Sequence, residues 1–140
     1  MNQIVPHTVW LGHAGDGCDF RRIFDLGIRA VVYLAAEEEL PDLPRDLICC
    51  RFPLLDSPGN DPQVLCLAVN TIATLLKSRL PTLACCSSGL SRSPAVVAAS
   101  LALVQQEPAE EWLQRIAQHH PTDVSPGLWN ELVSRESHTP

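Results

Sequence analysis

Short apolar runs alternate with longer helix-like segments along the whole of this 140-residue chain, and that alternation restricts the fold more than any other feature. Thr8 to Leu11 reads as a strand, Asp19 to Leu26 as a helix stopped at Gly27, and residues 28–35, IRAVVYLA, as a buried strand. Residues 47–53, LICCRFP, read as another strand. Asp61-Pro62, Ser93-Pro94 and Ser125-Pro126 each set a capping side chain before a proline suited to the first helical position, which predicts three helix starts. The first of these helices carries an apolar stripe through Val64, Leu65, Ala68, Ile72, Leu75 and Leu76 and runs to about Ser78. PTLACC then gives a short strand, and a further helix is expected from Pro108 to His119, ended by Pro121. The pattern predicts an α/β fold with a central, mostly parallel sheet of four to five strands and helices on both faces. With 15.3 kDa and 46% hydrophobic residues, residues 1–140 have room for one domain.

The net charge is −6, and Lys77 is the single lysine. Nucleic acid and anionic membrane surfaces both reward clustered Lys and Arg, so neither is expected as a partner, and any anionic ligand must be gripped locally. The first ten residues, MNQIVPHTVW, lack the charged and apolar regions of a secretory signal, and no apolar run approaches a membrane span. A cytoplasmic location is expected, with the six cysteines as reduced thiols.

Residues 85–94, CCSSGLSRSP, carry the chemistry. Cys86 ends a strand, Ser87, Ser88, Gly89, Leu90 and Ser91 form a loop, and a helix starts at about Arg92 to Pro94. A loop running into a helix N-terminus directs backbone N–H groups inward and adds the positive end of the helix dipole, which suits a tetrahedral oxyanion. Gly89 lets the backbone turn without a Cβ clash. Those same donors and Arg92 stabilise a thiolate at Cys86, making it a nucleophile near neutral pH. Arg92 can hold two phosphoryl oxygens with its planar fork. Six cysteines and nine arginines make the bare spacing a weak signal, but adding Gly at the fourth position and Ser after the Arg lowers chance matches to roughly 0.002. The chemistry implied is phosphoryl transfer through a phosphocysteine, with no metal and no cofactor.

Expelling an alkoxide or phenoxide calls for a proton donor, commonly an Asp on a mobile loop. Asp56 and Asp61 are the candidates. Asp56 follows a strand that can end beside the loop, whereas Asp61 already serves as an N-cap before Pro62.

CCSSGLSRS resembles the phosphate-binding signature of the cysteine-dependent protein phosphatases, usually His-Cys, five residues, then Arg and Ser or Thr. GLSRS is most similar to the dual-specificity branch, of the small atypical type. IVPHTVWLG, LGIRAVVYLAAE, FPLLDS and HPTDVSPGLWNEL are similar to that branch in order and spacing, so the resemblance covers nearly the whole chain. It implies a protein-tyrosine-phosphatase-like fold. It also implies that Cys86 attacks phosphorus, that Arg92 and the N–H groups of Ser87 through Arg92 cradle the phosphoryl oxygens, that Asp56 is the acid, and that Ser93 stabilises the departing thiolate. The substrate implied is a phosphorylated protein or a small phosphomonoester. The cradle positions Ser87, Ser88, Leu90 and Ser91 include no lysine, which disfavours a polyphosphoinositide.

The resemblance breaks at Cys85, where the family usually carries histidine. A thiol is a weaker hydrogen-bonding partner, so Cys86 is expected to be less strongly activated than in relatives. That departure supports one competing reading, a catalytically weak phosphate-binding module. Cys85 itself reads as a small buried core residue rather than half of a redox pair, since successive strand residues face opposite ways. Cys49 and Cys50 raise the same question on another strand. His119 and His120 read as cations closing a helix, and His13, Asp16 and Cys18 as a turn leading into a helix. The three tryptophans read as packing anchors, and Glu37 to Glu39 as a solvated face.

Overall fold

The computed structural model describes residues 1–135. Five strands form one sheet: β1 (Asn2–Gln3), β2 (Val9–Gly12), β3 (Ala30–Ala35), β4 (Ile48–Leu54) and β5 (Thr82–Cys85). Their order is β1-β2-β5-β3-β4, with β1 antiparallel to β2 and every other pairing parallel. This is the mixed α/β architecture expected. β1 is the strand that the periodicity misses, because two residues carry no period. All six residues of β3 are buried, which a strand reaches only when both sheet faces are covered.

The helices are α1 (Phe20–Asp25), α2 (Pro62–Lys77), α3 (Arg92–Gln105), α4 (Ala109–Ala117) and α5 (Pro126–Arg135). Alternate residues of each strand feed two separate cores. Leu11, Val32, Leu34, Ala84 and Cys86 pack with residues from α2 to α5 on one face. Val31, Tyr33, Leu83 and Cys85 pack with Ile23 of α1 on the other. Trp112 is buried in the first core and Trp129 packs against it, while Trp10 packs against the second.

Helix starts follow the expected signals at two of three places. The Asp61 carboxylate accepts from the Gln63 N–H at 2.9 Å, and α5 begins at Pro126. The third helix starts within the expected range of Arg92 to Pro94, but without the Ser93 cap. α3 begins at Arg92, with Ser91 at the cap position and no side-chain cap bond, so Ser93 lies inside the first turn. The loop before α3 sets this start, leaving the Ser93 hydroxyl available for another partner. Residues 92–102 of α3 are all buried, so the helix's N-terminus is anchored in the core. Among the described residues, no helix is long and apolar enough to cross a membrane.

Candidate active site

Parallel strands β2, β5 and β3 end on one edge of the sheet, with Gly12 and Tyr33 both in register with Cys85. The chain leaves β5 at Cys86, turns through Ser87 to Ser91 and enters α3. Three carbonyls of this loop are tied to its surroundings. Ser87 O accepts from the Ala14 N–H at 3.1 Å, Leu90 O from the Asp123 N–H at 2.7 Å, and Gly89 O contacts His120 Nε2 at 2.6 Å. With the carbonyls held outward, the N–H groups of Ser87, Ser88, Gly89, Ser91 and Arg92 donate to no partner among the described residues. Leu90 is the exception in the run, its N–H reaching Ser88 Oγ at 3.2 Å. Five unpaired N–H groups lead into the start of a 14-residue helix, a combination that suits an anion.

Gly89 makes the tight turn possible. Its φ is +79°, and a Cβ there would lie 2.9 Å from the backbone of Gly12. A side chain at this position would push the loop off the end of β2.

Cys86 and Arg92 are both 3% exposed. The Cys86 Sγ lies 3.4 Å from the Ser93 hydroxyl, the partner that the early helix start leaves available. The donors of Arg92 can be counted one by one. Nη1 donates to Glu37 Oε1 at 2.5 Å and to Leu54 O at 2.9 Å, and Nη2 donates to Glu37 Oε2 at 2.6 Å. Nε is buried and has no partner. A guanidinium has five N–H bonds, so the edge made by Nε and the second hydrogen of Nη2 is left without a partner among the described residues. Two parallel N–H donors on one edge are the arrangement by which a guanidinium can hold two oxygens of an oxyanion.

Residues 37–39 are largely solvated as expected, with the Glu37 side chain 56% exposed, but Glu37 also has a role that the reading missed. It follows β3 on the same sheet edge, and its carboxylate grips Arg92 end-on while accepting from Ser87 Oγ at 2.9 Å. The Arg92 hydrogen bonds chiefly hold its carboxyl down at about 2, with the Ser87 hydroxyl adding to the effect against a cost of burial. Because this folded value is depressed, the pair's stabilisation is fully present above the ordinary value of 4.5 and is lost as pH falls toward 2. Acid unfolding of wild type should therefore steepen between pH 4.5 and 2, and Glu37→Gln should flatten that part of the stability curve. A Glu37→Gln curve parallel to wild type throughout would contradict this.

His120 likewise has a role beyond the expected one. Its ring is buried between Asn2 Nδ2, 2.9 Å from Nδ1, and the Gly89 carbonyl. Since the amide nitrogen of Asn2 donates to Nδ1, the proton sits on Nε2 and is donated to Gly89 O. The backbones of both histidines close α4 as expected, their N–H groups donating to Ile116 O at 2.9 Å, but the buried His120 ring also buttresses the turn, and only His119 stays exposed.

Asp56 and Asp61 part company. Asp61 is the N-cap of α2, whereas Asp56 Oδ1 accepts from the Ser91 hydroxyl at 2.5 Å. Ser91 Oγ in turn accepts from the Ser125 N–H at 2.9 Å.

No family model and no curated protein matches the chain. Solved structures do match it. Human DUSP28 superposes with a TM-score of 0.85 over 99% of this chain and 96% of its own, at 21% identity. The human tyrosine phosphatase-like serine/threonine/tyrosine-interacting protein gives 0.84 over 99% and 96%, at 17% identity. A mouse putative dual specificity phosphatase, complexed with zinc tungstate, gives 0.84 over 98% and 86%, at 22% identity. The chain has the dual-specificity phosphatase fold.

Within this phosphatase fold, Cys85 and Cys86 face opposite cores, as strand alternation requires. Burial, followed by the neighbouring Cys86, pushes the Cys85 thiol up, so it stays neutral. Its nearest polar partner is Val32 O, 3.8 Å from Sγ. All six cysteines are free, and burial also pushes up the thiols of Cys49 and Cys50. His13 and Asp16 close a turn through the bond from the His13 N–H to Asp16 Oδ2 at 3.0 Å, and Cys18 ends a short 3-10 turn.

Proposed function

We propose that the protein hydrolyses phosphomonoesters, acting on phosphoproteins at Tyr, Ser or Thr through a phosphocysteine at Cys86. The observation that carries this reading is the edge of Arg92 with its buried and unpartnered Nε, beside the unpaired N–H groups that follow Cys86. In the first step the Cys86 thiolate forms a bond to phosphorus as the bond to the leaving oxygen breaks. Arg92 and the loop N–H groups hold the three remaining phosphoryl oxygens, whose charge they match better in the transition state. Asp56 delivers a proton to the departing oxygen. In the second step Asp56 takes a proton from water as it attacks phosphorus, and the Ser93 hydroxyl stabilises the released thiolate. Turnover of an aryl phosphate, inhibited competitively by vanadate, tests the reading.

The role of Asp56 has its own test. Asp56→Asn should lower kcat on phenyl phosphate by about 10²–10⁴, the contribution of a general acid, while an activated nitrophenyl phosphate loses far less. Equal losses on the two substrates would remove Asp56 from the proton-transfer step.

Cys85 favours a second reading, a phosphate-binding module with weak catalysis, because it supplies a poorer hydrogen bond beside the nucleophile. Binding of phosphopeptides without vanadate-sensitive turnover would select it. Hydrolysis is preferred because it uses the second Asp56 oxygen as an acid, whereas binding needs the carboxylate only to hold the Ser91 hydroxyl.

A further inference from the structure

The Asp56-bearing loop between β4 and α2, residues 55–61, is held by more hydrogen bonds than a loop that swings over substrate would require. Asn60 is 8% exposed and crosslinks the loop internally. Its Oδ1 accepts from the Leu55 N–H at 2.7 Å, and its Nδ2 donates to Leu55 O at 3.2 Å and Ser57 O at 3.0 Å. Asn60 thus fixes the residue immediately before Asp56 by both of its backbone groups. The same side chain is anchored from outside the loop. Glu131 on α5 accepts from Asn60 Nδ2 at 3.0 Å, sharing one of that amide's two hydrogens with a loop carbonyl, and also from the Asn60 N–H at 3.2 Å and the Gly59 N–H at 3.0 Å.

α5 also reaches Asp56 from the other side. The N–H of Ser125, just before the helix, occupies a lone pair of Ser91 Oγ and leaves the Ser91 proton for Asp56 Oδ1. Oδ1 is therefore an acceptor, and a proton for transfer belongs on Oδ2. One end of α5 sets the carboxylate's orientation and its second turn sets the loop that carries it.

We propose that Glu131, acting through Asn60, is a positioning residue for Asp56, and that it holds the acid in its working place before substrate binds. The inference rests on the reading of Asp56 as the acid. Burial opposes a charge on Glu131, but the bonds from Asn60 and Gly59 outweigh it and hold the carboxyl below its ordinary value, so the anchor is charged at neutral pH.

The experiment compares wild type, Glu131→Ala, Glu131→Gln, Asp56→Asn and the Asp56→Asn/Glu131→Ala double variant on phenyl phosphate and nitrophenyl phosphate. Glu131→Ala should lower kcat on phenyl phosphate about tenfold, part of what a general acid supplies, and change nitrophenyl phosphate about twofold or less. Glu131→Gln keeps an oxygen for Asn60 and should recover most of the loss. In the Asp56→Asn background, Glu131→Ala should cost nothing more, because two residues acting through one step are not additive. Equal losses on both substrates, or a further loss in the double variant, would overturn the proposal. Amide hydrogen exchange decides the anchoring independently of turnover. Glu131→Ala should speed exchange at Leu55, whose N–H is bonded to Asn60 and not to Glu131, while β5 and α3 keep wild-type protection. Unchanged exchange at Leu55 would overturn the proposal. An inactive wild type that shows the exchange effect would instead count against the phosphatase reading.

Discussion

Arg92→Lys is expected to lower kcat/KM by about 10²–10³, the cost of losing one well-placed transition-state donor group. Arg92 serves two partners with separate edges. Its end grips both oxygens of Glu37, its inner Nη1 hydrogen meets Leu54 O, and its side edge has no partner among the described residues. An ammonium has three donors and no plane, so it cannot face Glu37 with two and an incoming phosphoryl group with two more. A lysine here would be drawn to the Glu37 carboxylate, leaving the loop N–H groups to hold the oxyanion alone. Vanadate affinity should fall together with kcat/KM, because both depend on the same edge. Retention of kcat/KM to within about threefold would mean that the edge is not used in the transition state.

Cys86→Ser is expected to reduce aryl phosphate turnover by at least about 10⁴, because an unactivated hydroxyl is a far weaker nucleophile than a thiolate. The exchange is close to isosteric, with the Sγ to Ser93 contact of 3.4 Å replaced by a hydroxyl pair, and it leaves Arg92 and the loop N–H groups intact. Phosphopeptide binding should therefore survive, which makes the variant a substrate trap. Comparable turnover by wild type and Cys86→Ser would place catalysis elsewhere. Strong phosphopeptide binding by both, with turnover by neither, would select the binding module.

How much of this arrangement was legible in the sequence depended on how far apart its parts lie along the chain. Cys86, Gly89 and Arg92 occupy seven consecutive positions, and a strand, a turn and a helix start each leave a local mark. Asp61 was separable from Asp56 by its proline alone. Glu37 was invisible because its partner lies 55 residues on, and a glutamate within EEE looks the same whether it faces water or a guanidinium. Its position directly after an apolar strand was the available signal, since that strand ends on the same sheet edge as the loop. His120 and Glu131 were hidden for the same reason, reaching across 31 and 71 residues to Gly89 and to Asn60. Ser93 misled in a different way. Ser-Pro is a sound cap signal, but the turn out of β5 starts the helix two residues earlier than that signal and redirects the hydroxyl toward sulfur.

The packing around Cys85 bears on how the site can be altered. A Cβ on Gly17 would sit 2.7 Å from the Cys85 Sγ and 3.0 Å from the Tyr33 ring, and the Tyr33 hydroxyl is bonded to Gly17 O at 2.8 Å. Position 17 therefore has no room for a side chain while Cys85 and Tyr33 keep their places. Any side chain at position 17 would press on Cys85, the residue just before Cys86, so the glycine protects the end of β5 from the face of the sheet opposite to Cys86.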